Sequence, residues 1–313
     1  MLDKPVTTNE ALLSAALDGL LGVPKTLPSK WFYDTEGSRL FEEITQLPEY
    51  YPSRTETQIL RSIAKELATS IAPGGALVEL GSGASVKTRL LIDAAPHLNL
   101  YIPVDVADEF LRDTSVKLAQ AYPGLSVQPI VADFTGSFAL PKDLLDVPKT
   151  VFFPGSTIGN LDQEQAVALL SGVRAWDGVH RFILGVDLVK SADVLIPAYD
   201  DVAGVTAEFN LNLLRRLNRE TGATFVPSNF RHEARWNADE CRVEMHLRSK
   251  VTQRVRIGDT HIQFKVGETI HTENSRKYTE AGLHELAKAS GWKIDAFHTD
   301  AQAWFAVIVF SPV

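Results

Sequence analysis

Between Ala76 and Asp187 the chain alternates short apolar segments with segments of helical spacing, and this rhythm constrains the fold more than any other feature. Ala76-Leu77-Val78-Glu79-Leu80 runs into Gly81-Ser82-Gly83, and a helix is expected from Val86 to Ala95. A second strand from Leu98 to Val104 ends at Asp105 and precedes a helix from Ala107 to Tyr122. A third, from Ser126 to Ala132, ends at Asp133. Val151-Phe152-Phe153 leads into Gly155-Ser156-Thr157-Ile158-Gly159-Asn160 and a helix from Gln163 to Val173. A fifth strand, from Arg181 to Val186, ends at Asp187. Strands and helices in such alternation predict an α/β protein with a parallel, doubly wound sheet.

Outside this stretch the pattern changes. Leu12, Leu13, Ala16, Leu17, Leu20 and Leu21 recur at helical spacing until Pro24 and Pro28 break the run. A short helix is expected to carry Leu40, Phe41, Ile44 and Leu47. Pro48 and Pro52 bracket Glu49-Tyr50-Tyr51, which predicts an extended or turn segment. After Ser191 one long helix is expected to contain Tyr199 and Phe209 to Leu217, followed by strands with alternating residues, as in Arg242 to Leu247 and His261 to Val266. A helix from Glu280 to Ser290 and two closing strands, Trp292 to His298 and Trp304 to Phe310, complete the chain. The expected division is a sheet domain of residues 61–190 and 278–313, and a second domain of residues 1–60 and the insertion 191–277.

Composition narrows the function. The formal net charge of −8 argues against a nucleic-acid partner, because a phosphate backbone needs a basic field. The single cysteine, Cys241, excludes an intrachain disulfide and any thiolate zinc cluster. No metal is expected: His232-Glu233 has no second histidine four residues on, so HExxH is absent, and GxSxG is absent too. Met1-Leu2-Asp3-Lys4-Pro5 does not read as a signal peptide. The apolar run from Trp304 to Phe310 is far shorter than the roughly 20 residues a membrane helix needs. A soluble, cytoplasmic monomer with no membrane partner is expected.

The candidate chemistry lies at the strand ends. Gly81 and Gly83 would let backbone approach a ligand, although Val86 stands where GxGxxG would have its third glycine, and a purely structural turn is the alternative. Asp105 could accept two ribose hydroxyls, and Asp133 an adenine amino group. Gly81, Gly83, Asp105 and Asp133 together form a series of the S-adenosylmethionine type that another adenosine cofactor could also fit. Lys87 could pair with a cofactor carboxylate or be a solvated helix lysine. Asn160 could orient an amine or carboxylate, or cap the next helix.

These residues lie among longer motifs. Lys30-Trp31-Phe32-Tyr33-Asp34, Gly37-Ser38, Leu40-Phe41 and Leu47-Pro48-Glu49-Tyr50-Tyr51-Pro52-Ser53-Arg54-Thr55-Glu56 resemble the N-terminal signature of the histidine Nα-methyltransferases of ergothioneine biosynthesis. So do Glu79 to Gly83, Gly155 to Leu161, Asp187-Leu188-Val189-Lys190, Ala198-Tyr199-Asp200-Asp201 and Gly204-Val205-Thr206. The resemblance runs from about residue 24 to the C-terminus.

It implies a class I methyltransferase sheet of Rossmann-like type with a second, substrate-binding domain. It implies S-adenosylmethionine as cofactor, L-histidine as substrate and hercynine, the Nα-trimethylated product. Tyr33, Gly81, Lys87, Asp105 and Asp133 would contact the cofactor, and Asn160 and Tyr199 the amino-acid head group. Tyr50, Glu273 and Ser275 would read the imidazole, and Phe209 and Met245 would be pocket walls. Asn160, Tyr199 and Tyr33 would orient the reacting groups. Taken alone, Tyr50, Tyr199 and Met245 could be packing residues, and Glu273 and Ser275 could face solvent. The rivals are methylation of another amine, such as tryptophan, and a non-catalytic cofactor-binding regulatory protein of the same fold.

Overall fold

The computed structural model describes residues 8–136, 138, 140, 141, 144 and 147–313, so Met1 to Pro5 lie outside the described residues. The first elements are α1 (Glu10–Leu21), β1 (Lys25–Thr26) and α2 (Thr35–Ile44). Asn9 caps α1 by accepting the Leu12 N–H at 3.1 Å, and Asp34 caps α2 by accepting the Gly37 N–H at 2.7 Å. α3 (Tyr51–Thr69) begins where an extended or turn segment was expected. Pro52 stands in its first turn, where a helix leaves N–H groups unpaired, so its missing donor costs nothing.

Next come β2 (Ala76–Leu80), α4 (Thr88–Ala94), β3 (Leu100–Asp105) and α5 (Asp108–Ala121). The expected third strand is two short ones, β4 (Ser126–Val127) and β5 (Ile130–Val131), separated at Pro129, which cannot donate to a ladder. β6 (Lys149–Phe153), α6 (Gln163–Arg174) and β7 (Val179–Asp187) follow. The single long helix expected after Ser191 is likewise two, α7 (Ala192–Tyr199) and α8 (Val205–Thr221). Gly204 at φ +75° starts α8, and the Asp201 carboxylate accepts the Val205 and Thr206 N–H groups at 2.9 and 2.8 Å. The chain continues through β8 (Phe230–Asn237), β9 (Arg242–Ser249), β10 (Gln253–Ile257), β11 (Thr260–Phe264) and β12 (Thr269–Arg276). It ends with α9 (Glu280–Ala289), β13 (Trp292–Thr299) and β14 (Phe305–Pro312).

Two compact units result. One takes the chain up to Tyr50 together with Ser191–Asn274; the other takes Tyr51–Lys190 and Ser275–Val313. The expected boundary at residue 60 therefore moves to Tyr50/Tyr51, because Ile59, Leu60, Leu67 and Ala68 of α3 pack into the core of the sheet unit. The boundary expected at residue 277 moves to Asn274/Ser275, since Lys277 ion-pairs with Asp187 of β7.

The sheet unit holds eight strands in the order β13-β14-β7-β6-β2-β3-β4, with β5 also paired to β3. β2, β3, β4, β5, β6 and β7 run parallel, β14 is antiparallel to β7, and β13 is antiparallel to β14. This is a doubly wound, mainly parallel α/β sheet, as the alternation of strands and helices predicts. Val78, Leu80, Val151 and Phe153 join the core on one face, and Leu77, Phe152, Ile183 and Val307 join the other. A sheet covered on both faces exposes chemistry at its carboxyl edge, and β2, β3, β5, β6 and β7 end there at Gly81, Asp105, Asp133, the 155–160 turn and Asp187. The other unit has a four-stranded sheet, β1-β12-β9-β8, and the β10-β11 hairpin.

Candidate functional site

The glycine turn after β2 is held by backbone. Gly81 and Gly83 lie at φ +67° and +47°, the left-handed region that suits a residue without Cβ. The Gly81 N–H donates to the Val104 carbonyl at 2.8 Å. A Cβ at Gly81 would lie 3.6 Å from the Phe134 ring and 3.9 Å from Thr157 Cγ2, whereas one at Gly83 would meet no atom within 4 Å. The turn thus packs between two other strand ends and stays open at its second glycine. Asp105 ties it to β3: Oδ2 accepts the Gly83 N–H at 3.0 Å and Oδ1 the Ala107 N–H at 3.1 Å. Each carboxylate oxygen has two acceptor positions, so these bonds leave capacity toward a ligand hydroxyl. Asp133 accepts the Thr135 N–H at 3.0 Å.

Two buried carboxylates support this edge, and sequence reasoning gave neither a role. Glu79 is fully buried and accepts the hydroxyl protons of Thr88 and Tyr101; burial pushes its carboxyl up to about 8. Glu56, also fully buried, pairs with Lys87 and accepts the Gly155 N–H at 3.0 and 2.9 Å on its two oxygens. A Cβ at Gly185 would lie 1.9 Å from Glu56 Oε1, so this strand position must be glycine for Glu56 to fit. The signal in the sequence was an isolated glycine inside an apolar strand, which marks close approach.

The turn after β6 is strained. Gly155 and Ser156 both have positive φ, +80° and +58°, the second unfavourable for a residue with a Cβ. Ser156 Oγ accepts the Asp187 N–H at 2.9 Å, which anchors the turn to β7. A Cβ at Gly159 would lie 2.7 Å from the Arg276 carbonyl oxygen, so the turn carrying Asn160 packs on the backbone at the end of β12. Asn160 ends a short 3-10 turn, Thr157–Asn160, and does not cap α6. Asp162 does so, in a capping box with Gln165.

Asp187 anchors a third buried group. Its carboxylate accepts from Tyr51 Oη at 2.9 and 2.7 Å, from Lys190 Nζ at 2.6 Å and from Lys277 Nζ at 2.8 Å. Burial pulls the Lys190 ammonium down to about 8. Lys277 Nζ also donates to Ser275 Oγ at 2.8 Å, so one of the expected imidazole readers belongs to this network.

The other unit brings four sequence-selected aromatic residues into one series. Tyr33 meets Phe41 and Phe209 edge-on, with ring centres 5.8 and 5.9 Å apart. Phe41 contacts Tyr50 at 6.2 Å, and Tyr50 contacts Tyr199 at 6.1 Å. Phe32 stacks on Phe209 at 4.6 Å. Phe41 links the series; in the sequence it stood as a helix residue and in the Leu40-Phe41 motif, without a site role. His232 fixes the backbone at Tyr199, its Nε2 lying 2.7 Å from the Tyr199 carbonyl oxygen. Met245, buried on β9, accepts the Thr272 hydroxyl on its carbonyl oxygen at 3.0 Å, and Glu273 follows on β12.

The same unit gathers Glu244, His246 and His271, whose ligand-type atoms lie within 4.8 Å of one another. No sequence spacing signalled this, because His271 comes from a different strand. Glu244 already accepts from Asn237 at 3.0 Å and Arg242 at 2.8 Å, which hold its carboxyl down to about 2 despite burial. A cation there would compete with the Arg242 guanidinium. Burial lowers the His246 imidazole to about 4, so His246 is neutral beside the stacked ring of His271.

The profile of the family described as histidine-specific methyltransferase, SAM-dependent, matches residues 12–312. The chain belongs to that family. It is 45% identical over 293 residues to the histidine N-alpha-methyltransferase of Mycolicibacterium smegmatis, covering 90% of this chain and 88% of that protein. It is 43% identical over 298 residues to the enzyme of the same name from Mycobacterium tuberculosis, covering 88% and 90%. Ergothioneine biosynthesis protein 1 of Neurospora crassa is 32% identical over 228 residues, covering 69% of this chain and 26% of that longer protein. S-adenosylmethionine is the cofactor of this histidine-specific family, and the glycine edge fits it: left-handed glycines, open space beside Gly83 and a backbone-oriented Asp105 suit an adenosyl ligand. No helix among the described residues is long and apolar enough to cross a membrane.

Proposed function

We propose that this protein transfers three methyl groups from S-adenosylmethionine to the α-amino group of L-histidine, giving hercynine, the first step of ergothioneine biosynthesis. The family match over residues 12–312 carries this reading. The acidic net charge supports a reading without a nucleic-acid partner, and a cytoplasmic monomer without a membrane partner is part of the same proposal.

Bound cofactor supplies an electrophilic methyl on a sulfonium; the protein binds and orients. Asp105 accepts the ribose hydroxyls, Asp133 the adenine amino group, and Lys87 meets the cofactor carboxylate while braced by Glu56. Gly81 and Gly83 admit the ligand to the backbone, and Tyr33 completes the cofactor contacts. Asn160 and Tyr199 would hold the amino-acid head group and orient an amine that has lost its proton to solvent, with S-adenosylhomocysteine released as the thioether product of each transfer. Such positioning removes translational and rotational freedom from the barrier, a contribution of up to roughly 7–11 kcal/mol in favourable cases. Tyr50, Glu273 and Ser275 read the imidazole, with Met245 and Phe209 as walls. The first 50 residues and the insertion form the substrate-binding domain. Tyr33, Tyr50 and Tyr199 offer π faces that tolerate a growing methylammonium.

The test is incubation with S-adenosylmethionine and histidine, tryptophan or histamine, with mass spectrometry of the products. Mono-, di- and trimethylated histidine are expected, with little product from the other two. Equal methylation of histamine, which lacks the carboxylate, would remove the head-group assignment.

A further inference from the structure

α7 ends at Tyr199, and the last carbonyls of a helix have no partner in their own ladder. His232 on β8 supplies one, with Nε2 at 2.7 Å from the Tyr199 carbonyl oxygen. A carbonyl only accepts, so Nε2 carries a proton and donates it. On the other side of the ring, Nδ1 lies 2.8 Å from Asn210 Nδ2 on α8. An amide nitrogen only donates, so Nδ1 is the acceptor, and the ring is a neutral imidazole in a single tautomer. The orientation of the amide has its own support, because Asn210 Nδ2 also donates to the His246 carbonyl on β9 at 3.3 Å. Burial agrees with the neutral form: it lowers the His232 imidazole from its ordinary value, although the Tyr199 carbonyl, Asp200, Asp201 and Glu233 favour the charge.

The arrangement is more exacting than a helix end requires. Asn210 is fully buried, and the two side chains that serve this one carbonyl come from 11 and 33 residues away, at a desolvation cost that a glycine or solvent cap would avoid. What it fixes is a tyrosine. The Tyr199 ring meets Tyr50 edge-on at 6.1 Å, so its backbone and its ring are both held. A side chain with two torsions between backbone and ring then has its hydroxyl placed as well.

We infer that His232, kept in its Nε2–H form by Asn210, is a positioning residue that fixes the backbone of Tyr199 and so the place of the hydroxyl that meets the amino-acid head group. This rests on the reading that Tyr199 holds that head group. His232 itself does not touch the substrate, and its effect is on the choice of a substrate class: an amine that carries a carboxylate over one that lacks it.

The test is the preference for histidine over histamine, as the ratio of their kcat/KM values, in three variants. His232→Asn can still meet Asn210 but is too short to reach the Tyr199 carbonyl. It should cut the preference roughly tenfold, with unchanged affinity for S-adenosylmethionine. His232→Gln carries a donor and an acceptor with the longer reach, and should recover most of that loss. Tyr199→Phe should cut the preference to a similar extent, and Tyr199→Phe with His232→Asn little further, since both act through one hydroxyl. A preference kept in His232→Asn but lost in Tyr199→Phe would overturn the inference and leave the head-group reading standing; a preference kept in both would remove the reading as well. A His232→Gln no better than His232→Asn would also overturn the inference, because the donor and acceptor would not be what matters. Should His232→Asn not fold, nitrogen NMR of the unmodified protein with labelled histidine residues decides: His232 is expected with Nε2 protonated and Nδ1 bare, and a proton on Nδ1 would overturn it.

Discussion

In the sheet unit, Glu56, Glu79, Asp187, Lys190 and Lys277 are withdrawn from solvent: Asp187 pairs with Lys190 and Lys277, Glu56 with Lys87 and the Gly155 N–H, and Glu79 accepts from Thr88 and Tyr101. In the other unit, Tyr33, Phe41, Tyr50, Tyr199 and Phe209 meet ring to ring. The difference is one of precision against tolerance. A buried ion network fixes atoms sharply, because each unpaired charge would be costly, and its state depends on protons. Aromatic edges and faces define a surface of some latitude, and no proton enters their energetics. Perturbing charge and perturbing packing should therefore separate the two regions.

The largest separation is expected in pH dependence. Burial raises the Glu79 carboxyl to about 8 from an ordinary value of 4.5. The folded protein keeps this proton over a range in which the unfolded chain has lost it. The contribution is therefore full below about 4.5 and is lost as pH rises toward 8, with a loss on the order of 5 kcal/mol. Denaturant unfolding across this range should show stability falling with pH in the wild type and a flatter profile in Glu79→Gln. Parallel profiles would mean that Glu79 is ionised throughout.

Packing comes next. Phe209 is buried and touches Phe32, Tyr33 and Phe41. Phe209→Ala should cost about 3–4 kcal/mol through the cavity it leaves. The loss should be the same at every pH in the Glu79 window; a loss that varied with pH would tie the aromatic series to the ion network and erase the contrast.

Asp105→Ala tests the polar edge by binding. Calorimetric titration should show S-adenosylmethionine affinity reduced by about 2–3 kcal/mol, because a charged acceptor of two ribose hydroxyls is lost. Far-ultraviolet circular dichroism should be unchanged. Unchanged affinity would mean that Asp105 only ties the glycine turn to β3.

What could be read from the sequence follows the same contrast. The glycine turn, Asp105 and Asp133 were legible because each stands at the end of a local apolar run, and strand ends line one edge of a parallel sheet. Glu56 was not, since its partner Gly155 lies 99 residues away and nothing in a helix heptad announces a bond to a distant turn. Tyr51 and Asp187 are 136 residues apart and were unreadable as a pair for the same reason. Two misreadings were avoidable. Pro129 signalled a divided third strand, and Gly204 signalled the start of a new helix. Of the residues named for cofactor and substrate, Tyr33, Tyr50, Tyr199 and Phe209 stand in one aromatic series joined by Phe41, Gly83 is hydrogen-bonded to Asp105, and Lys87 pairs with Glu56.

The smallest effect expected is on substrate choice, and it sets a polar residue against an apolar one within a single unit. Glu273 lies on β12 and Met245 is buried on the adjacent strand β9. Under the proposed reading Glu273 accepts a hydrogen bond from the imidazole and Met245 limits the size of the ring. Indole keeps an N–H, but it is larger and has no acceptor nitrogen, so in the wild type the carboxylate would lose water without a well-placed partner. Replacing Glu273 by Ala removes that cost for indole and a favourable bond for imidazole. Replacing Met245 by Val makes room. Glu273→Ala with Met245→Val should therefore shift the ratio of kcat/KM for histidine over tryptophan toward tryptophan by about 1–2 kcal/mol, close to tenfold. Each single variant should move the ratio part of the way, Glu273→Ala mostly by weakening histidine and Met245→Val mostly by admitting tryptophan. A ratio that stays where it was in the double variant would mean that neither side chain sets the specificity. The sharper task would then fall to Ser275 and the buried ion network behind it.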